Sequence, residues 1–289
     1  MKLPFSRRKR TFAAGSLAAV ALALAFVPFN MGGCSGADLN VTNIINGTQQ
    51  IGHSMALGEK DEPALGEAVA LQATNRYSIY PDKNLNRYVT LVGRTVATAA
   101  PRTTPYYFAV LDTDEVNAFS APGGYVFITR GAVQRMRDES ELAGVLGHEI
   151  GHVCKHHGLN AAKNATFKQG AVTLASSESH AAQFNAVADG AGDAVLNTGF
   201  SQPQEEEADA EGVKYVIGAG YDPDGFLHFL QRMQQGQGHG LKLFSTHPGL
   251  GDRINKVNDQ ITKTGRGGQG ATLPDRFAQN VTLPKVAVR

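Results

Sequence analysis

Residues 139–157 of this 289-residue chain read as one helix that cannot lie at a surface. Asp138 and Glu141, three apart, form a capping-box-like start. Leu142, Val145, Leu146, Ile150 and Val153 then recur at helical spacing, up to a stop expected at Gly158. Inside that apolar run lie His148, Glu149 and His152. Their polar atoms would sit beside a core, where an unpaired group costs about 1–3 kcal/mol. A fold that buries this helix must therefore bring partners to it.

A metal ion is one such partner. His148 and His152 are four residues apart, so on a helix they project from one face about 6 Å apart. Two imidazoles in that relation can reach one Zn²⁺. Glu149 lies one residue on, close enough to hold a water without ligating the ion; this is the HExxH pattern. A catalytic site needs a third protein ligand. His156 would lie about 12 Å along the axis from His148, too far to converge on the same ion. Lys155 and Gly158 stand where the metzincin pattern wants Gly and His, so that class is excluded. The remaining source is the acidic segment Glu205-Glu206-Glu207-Ala208-Asp209. Glu205 and Asp209 share a helical face: one can ligate zinc while the other accepts a hydrogen bond from a ligand histidine. By itself the segment would read as a solvated acidic helix start, favoured by the macrodipole.

The elements around these motifs are mixed. Helices are expected at Leu57–Ala73, Asn84–Ala99, Ala132–Met136, Glu205–Ala219, Asp224–Met233 and 251–263. In the second, Leu85, Tyr88, Val89, Val92 and Val96 fall on one face. Strands are expected at Tyr106–Val110, Val116–Ser120 and Tyr125–Thr129, the last two separated by the turn Ala121-Pro122-Gly123-Gly124. Residues 161–200, rich in Ala, Gly and Ser, predict a loosely packed helix and a loop. Residues 263–289 predict an irregular tail over the surface. The expected fold is α+β, mainly helical, with one catalytic domain at 55–262.

The first 33 residues carry five basic side chains and no acidic one; the remainder holds 22 basic against 26 acidic groups. A mildly acidic body argues against nucleic acid as a partner. Lys2–Arg10 is basic, Phe12–Phe29 is uncharged and mostly apolar, and Met31-Gly32-Gly33-Cys34 is small-residue-rich. This is the pattern of an export signal over residues 1–33. It resembles a bacterial lipoprotein signal, in which Cys34 becomes the lipidated first residue, followed by a polar tether over 34–54; a cleaved soluble protein and an uncleaved membrane anchor are the alternative readings. Ser35 resembles the outer-membrane sorting choice, which implies a periplasm-facing lipoprotein of the outer membrane. Cys154 is then a free thiol, roughly 200° around the helix from His152 and turned away from the metal.

Taken in order, the HEIGH helix, the EEEAD segment, the strand-turn NAFSAPGG and Ser245-Thr246-His247-Pro248 with Arg253 resemble the HtpX-like and CAAX-prenyl-protease-like zinc metallopeptidases, gluzincins of metallopeptidase family forty-eight. The likeness covers roughly residues 55–260 and is nearest to the small periplasmic lipoproteins of that family, without a tetratricopeptide repeat region. It implies a zincin-like fold whose edge strand borders the cleft. It implies one Zn²⁺ per chain, held by His148, His152 and Glu205, with Glu149 as general base and Asp209 orienting His148. Asn117, Ala118, Phe119, Ser120 and Ala121 would pair with an extended substrate. His247 would lie near the zinc, as a fourth ligand closing the resting site or as a transition-state donor, and Arg253 would support its loop. Ser201-Gln202 departs from the Ser-Arg or Ser-Lys common in the family. The implied activity is hydrolysis of peptide bonds in unfolded or misassembled envelope proteins by a zinc-activated water, with envelope assembly machinery as a partner. A second reading is a zinc-bound, non-proteolytic chaperone or scaffold whose metal is blocked by His247. His156 is expected to be structural, and His157, His180, His228 and His239 to be surface or core residues rather than ligands.

Overall fold

The structure is a computed structural model and describes residues 57–173, 180–236 and 246–283. The export signal, Cys34, the tether through residue 54, and His239 lie outside the described residues. In chain order the elements are α1 (Glu62–Arg76), α2 (Lys83–Ala97), β1 (Tyr107–Leu111), β2 (Ala118–Ala121), β3 (Tyr125–Thr129), a short α3 (Arg130–Val133), α4 (Glu139–Cys154), α5 (His157–Thr173), α6 (His180–Asp193), α7 (Gln202–Gly218), α8 (Asp224–Gln235), α9 (Leu250–Thr264) and α10 (Pro274–Asn280). Among the described residues no helix is long and apolar enough to cross a membrane.

The three strands form one sheet in the order β1-β3-β2. β3 runs parallel to β1 and antiparallel to β2, so β2 is an edge. Gly123 and Gly124 take positive φ in the turn between β2 and β3, as the PGG signal requires. Strand alternation divides the core into two layers. Phe108, Val110, Val126 and Ile128 face the larger cluster with α2, α4, α7, α8 and α9. Ala109, Leu111, Phe119 and Phe127 face a smaller cluster with α1, α5 and α6. The five apolar positions read from α2 are all buried, and Asp82 caps that helix by accepting from the backbone N–H of Asn84 and Leu85 at 2.9 and 3.1 Å.

Helix α4 is buried along its length from Glu139 to Val153. Asp138 caps it, accepting from the Glu141 N–H at 3.0 Å. Its end differs from expectation. The helix stops at Cys154, His156 adopts φ 56°, and Gly158 lies inside α5. A left-handed residue ends a helix and turns the chain. Gly158 serves close packing instead, since a Cβ there would meet Pro122 Cδ at 2.9 Å. Within the segment expected to be loose at 161–200, α5 and α6 pack on each other and α6 packs on α1; residues 174–179 lie outside the described residues.

α4 and α7 cross at small residues. A Cβ on Gly151 would meet the Ala208 carbonyl oxygen at 2.7 Å, and one on Gly212 would meet the His148 backbone nitrogen at 2.8 Å. Only hydrogen at these positions permits the approach that brings the start of α7 against His148 and His152. Gly212→Ala tests this. Helix propensity favours Ala by about 1 kcal/mol, yet overpacking costs about 1–3 kcal/mol. The expected result in urea denaturation is a net loss of stability.

The expected surface tail is anchored. Thr272 O accepts from the Glu139 and Ser140 N–H groups at 3.0 and 3.3 Å, at the start of α4. The buried Glu139 carboxylate accepts from Tyr88 at 2.7 Å, Tyr221 at 2.6 Å and Arg276 Nε of α10 at 2.6 Å. Burial would raise the Glu139 pKa, but Arg276 and the two tyrosines bring it below the ordinary 4.5. A depressed folded value means the contribution is complete above the unfolded pKa and is lost as pH falls through the folded one. Glu139→Gln should therefore lower the melting temperature at pH 7 and flatten its fall below pH 4.5, read by thermal denaturation across pH.

Candidate metal centre

Three pieces of chain separated in sequence meet at one point. α4 supplies His148 and His152 from one face; α7 supplies Glu205 and Asp209 from its first turns; the segment before α9 supplies His247. Ser201 starts α7, with its N–H donating to Gln204 Oε1 at 3.1 Å, which aims Glu205 into the core rather than to solvent. Glu205 is fully buried, and His148, His152 and His247 are nearly so.

The donor atoms are spaced as one cation requires. His148 Nε2 lies 3.0 Å from His152 Nε2, 3.2 Å from His247 Nδ1 and 3.4 Å from Glu205 Oε2. His247 Nδ1 is 2.9 Å from Glu205 Oε2, and His152 Nε2 is 3.3 Å from Glu205 Oε1. A tetrahedron with arms of about 2.0–2.1 Å has edges of about 3.3 Å, so this set fits zinc. Two buried carboxylate oxygens here, Glu205 Oε1 and Glu149 Oε2, have no hydrogen-bond partner among the described residues. Buried oxygens are rarely left so, and a cation with its bound water satisfies both. Three imidazoles and one carboxylate are a donor set that zinc favours.

The surrounding charges orient these donors. His148 Nδ1 lies 2.8 Å from Asp209 Oδ1. That bond leaves the Nε2 lone pair turned inward. Arg253, buried on α9, binds Asp209 through Nε at 2.8 Å and an outer nitrogen at 2.6 Å. Its other nitrogen lies 2.9 Å from Glu205 Oε2 and 3.5 Å from the His247 carbonyl. Arg253 thus does more than support the His247 loop: it clamps both carboxylates of α7. Burial would raise Asp209, but Arg253 and His148 outweigh it and hold it at about 2. Burial would likewise raise Glu205, but His247, His152 and Arg253 hold it well below the ordinary value. Burial alone would lower His148, and its bonds to Asp209 and Glu205 raise it to about 9. Burial carries His152 well below its ordinary value.

The edge strand meets this centre. His247 Nε2 donates to the Ala118 carbonyl at 3.0 Å and lies 3.6 Å from Glu149 Oε1. Thr246 Oγ1 donates to Asn117 Oδ1 at 3.0 Å. The Asn117 carbonyl accepts from the Thr129 N–H at 2.9 Å, so Asn117 faces β3. By antiparallel alternation the backbone groups of Ala118 and Ser120 face outward, toward the metal side. Phe119 turns instead into the smaller core, and Ala121 begins the turn.

Several expectations concern residues outside the cluster. His156 binds Glu62 Oε1 at 2.7 Å and His228 is exposed. Cys154 is a half-buried free thiol with Sγ 3.3 Å from the Tyr106 hydroxyl. His157 is buried and touches a donor residue: its Nδ1 lies 2.8 Å from His152 Nδ1. Two aromatic contacts also had no sequence signal. Phe200 stacks on His152 at 4.4 Å between ring centroids, and Phe226 stacks on His148 at 5.8 Å.

The model of peptidase family M48 matches residues 83–261, and the chain belongs to that family, a class of zinc metallopeptidases. Among named proteins it is similar to the beta-barrel assembly-enhancing protease of Yersinia pestis, 29% identical over 215 residues, covering 68% of this chain and 44% of that protein. It is 27% identical over 171 residues to metalloprotease LoiP of Escherichia coli strain K12, covering 56% of this chain and 65% of the relative. It is 30% identical over 156 residues to the mitochondrial metalloendopeptidase OMA1 of Schizosaccharomyces pombe, covering 50% of this chain and 43% of the relative. The chain thus spans less than half the length of the first and third of these relatives and about two thirds of the second.

Arg253→Ala leaves two buried carboxylates without their cation. Breaking a buried pair costs about 3–5 kcal/mol, to be measured by urea denaturation of chelator-treated protein. Arg253→Lys should recover only part, because an ammonium cannot bridge two carboxylates as a planar fork does.

Proposed function

We propose that the protein is a zinc-dependent endopeptidase that cuts unfolded or misassembled proteins of the cell envelope. The observation that carries this is the Glu149 carboxylate. It is buried beside the four-donor cluster, and its Oε2 has no hydrogen-bond partner among the described residues. A site that only stores or is stiffened by zinc has no use for it.

In this reading His148, His152 and Glu205 hold the ion, and Asp209 orients His148. Zinc, when bound, polarises the peptide carbonyl and brings a water toward a pKa of about 7. Glu149 accepts the proton of the attacking water and delivers it to the departing amine. The outward backbone groups of Ala118 and Ser120 bind the substrate as an added strand, and Asn117, Phe119 and Ala121 hold that edge in place. Backbone pairing tolerates many sequences and requires an extended chain, which favours unfolded substrates.

His247 occupies two positions a substrate needs: one corner of the donor set and the Ala118 carbonyl. We read it as a fourth ligand that closes the resting site. The same contacts support a second reading, a zinc-bound chaperone or scaffold with no proteolytic activity.

The envelope setting rests on the signal-like residues 1–33, with Cys34 as the proposed lipid anchor to the outer membrane, facing the periplasm. A relative named for enhancing β-barrel assembly supports it and points to envelope assembly machinery as a partner.

Cleavage of casein by the zinc-loaded protein tests the proposal. Glu149→Gln should keep its zinc and lose about 10²–10⁴-fold in rate. His247→Ala should cut faster than the parent. No cleavage by either the parent or His247→Ala, with zinc bound in both, would favour the chaperone reading.

A further inference from the structure

We propose that His157, backed by Glu207, is a positioning residue for the metal centre: it accepts the Nδ1–H of His152 and so keeps the His152 Nε2 lone pair turned toward the metal position. This rests on the reading of His152 as a ligand.

The argument starts from hydrogen counting. His152 Nδ1 and His157 Nδ1 lie 2.8 Å apart, so one of them carries the hydrogen and the other accepts it. The far nitrogen of His157, Nε2, lies 3.3 Å from Glu207 Oε2. An ionised carboxylate can only accept, so His157 Nε2 carries a hydrogen. A neutral His157 then has its lone pair on Nδ1, and His152 must donate from Nδ1. The reverse arrangement would place the His152 hydrogen on Nε2, aimed at His148 Nε2 and Glu205.

The two ligand histidines of α4 are therefore oriented by different groups. His148 is held by Asp209 directly. His152 is held through an intervening imidazole that links it to a half-exposed carboxylate. Lys155 Nζ lies 3.0 Å from Glu207 and 3.3 Å from Glu211, pinning Glu207 to its helix. The left-handed turn at His156 makes the geometry possible, because it reverses the chain and folds His157 back beside His152. Phe200 covers His152 and lies 5.8 Å from the His157 ring, so water does not readily replace the acceptor.

The test is zinc affinity of the full chain, by competition with a chromophoric chelator, for the parent, His157→Leu, His157→Asn and His157→Gln. An Asn oxygen can lie where Nδ1 lies; a Gln oxygen reaches the place of Nε2; Leu fills space without accepting. Loss of a group that orients a metal-bound histidine typically weakens binding about 10–100-fold. The expected order is parent, then Asn close behind, with Gln and Leu weaker by that factor. Equal affinity for Asn, Gln and Leu would overturn the proposal, however stable each variant is, because loss of packing alone does not discriminate where the oxygen sits. If Leu does not fold, the Asn and Gln comparison decides in the same way. A parent that binds no zinc would overturn the metal centre itself, and the relay with it.

Discussion

Glu205 and Asp209 reach the core because α7 crosses α4 at Gly147, Gly151, Ala208 and Gly212, where nothing larger than a methyl group keeps the backbones apart. α4 is buried from Glu139 to Val153, so its two histidines and Glu149 are withdrawn from bulk water. Their partners must come from another element, and the glycine seam brings that element within hydrogen-bond reach. A chain that lacked the seam would bury three polar side chains without partners, at a cost comparable to a domain's whole stability.

The crossing creates a second problem that a third helix solves. Two carboxylates carried into a core repel each other and lose hydration. Arg253 on α9 answers both, forming a fork to Asp209 and a contact to Glu205 while covered itself. The local arrangement of α4, α7 and α9 is thus set by charge as much as by apolar burial. Apolar burial governs the periphery: the sheet is covered on both faces, and α2 packs through a single stripe.

In the proposed function, the edge position of β2 links this centre to a polymer-sized ligand. A strand in the middle of a sheet has no unpaired backbone groups to offer, whereas β2 presents those of Ala118 and Ser120. Here His247 takes one of them and reaches the donor cluster with its other nitrogen. In that reading a single side chain couples strand pairing to metal coordination, and an extended chain added to β2 would compete with it.

How much of this was legible beforehand follows from the range of each interaction. The α4 motif and the pairing of Glu205 with Asp209 depend on helical periodicity alone, so spacing revealed them; the PGG turn and the stripe on α2 are equally local. Which of Glu205 and Asp209 joins the donor cluster and which binds the outer nitrogen of His148 was not local, because it depends on where α7 crosses α4. The end of α4 was misplaced for a related reason. Gly158 looked like a stop, but its missing Cβ serves a contact with Pro122, and His156 makes the turn. His157 shows the limit most plainly: five residues from His152, it would face elsewhere on a continuous helix, and only the reversal at His156 brings the two rings together. The sequence by itself determined the two histidines, the glutamate between them and the elements that carry them, because those follow from repeats of 3.6 and 2 residues. Tertiary structure alone decided the distances at which His247 meets the cluster, the arginine clamp, the place of β2 at the sheet edge and the partner of His152, because each is a meeting of groups whose distance in space bears no relation to their distance along the chain.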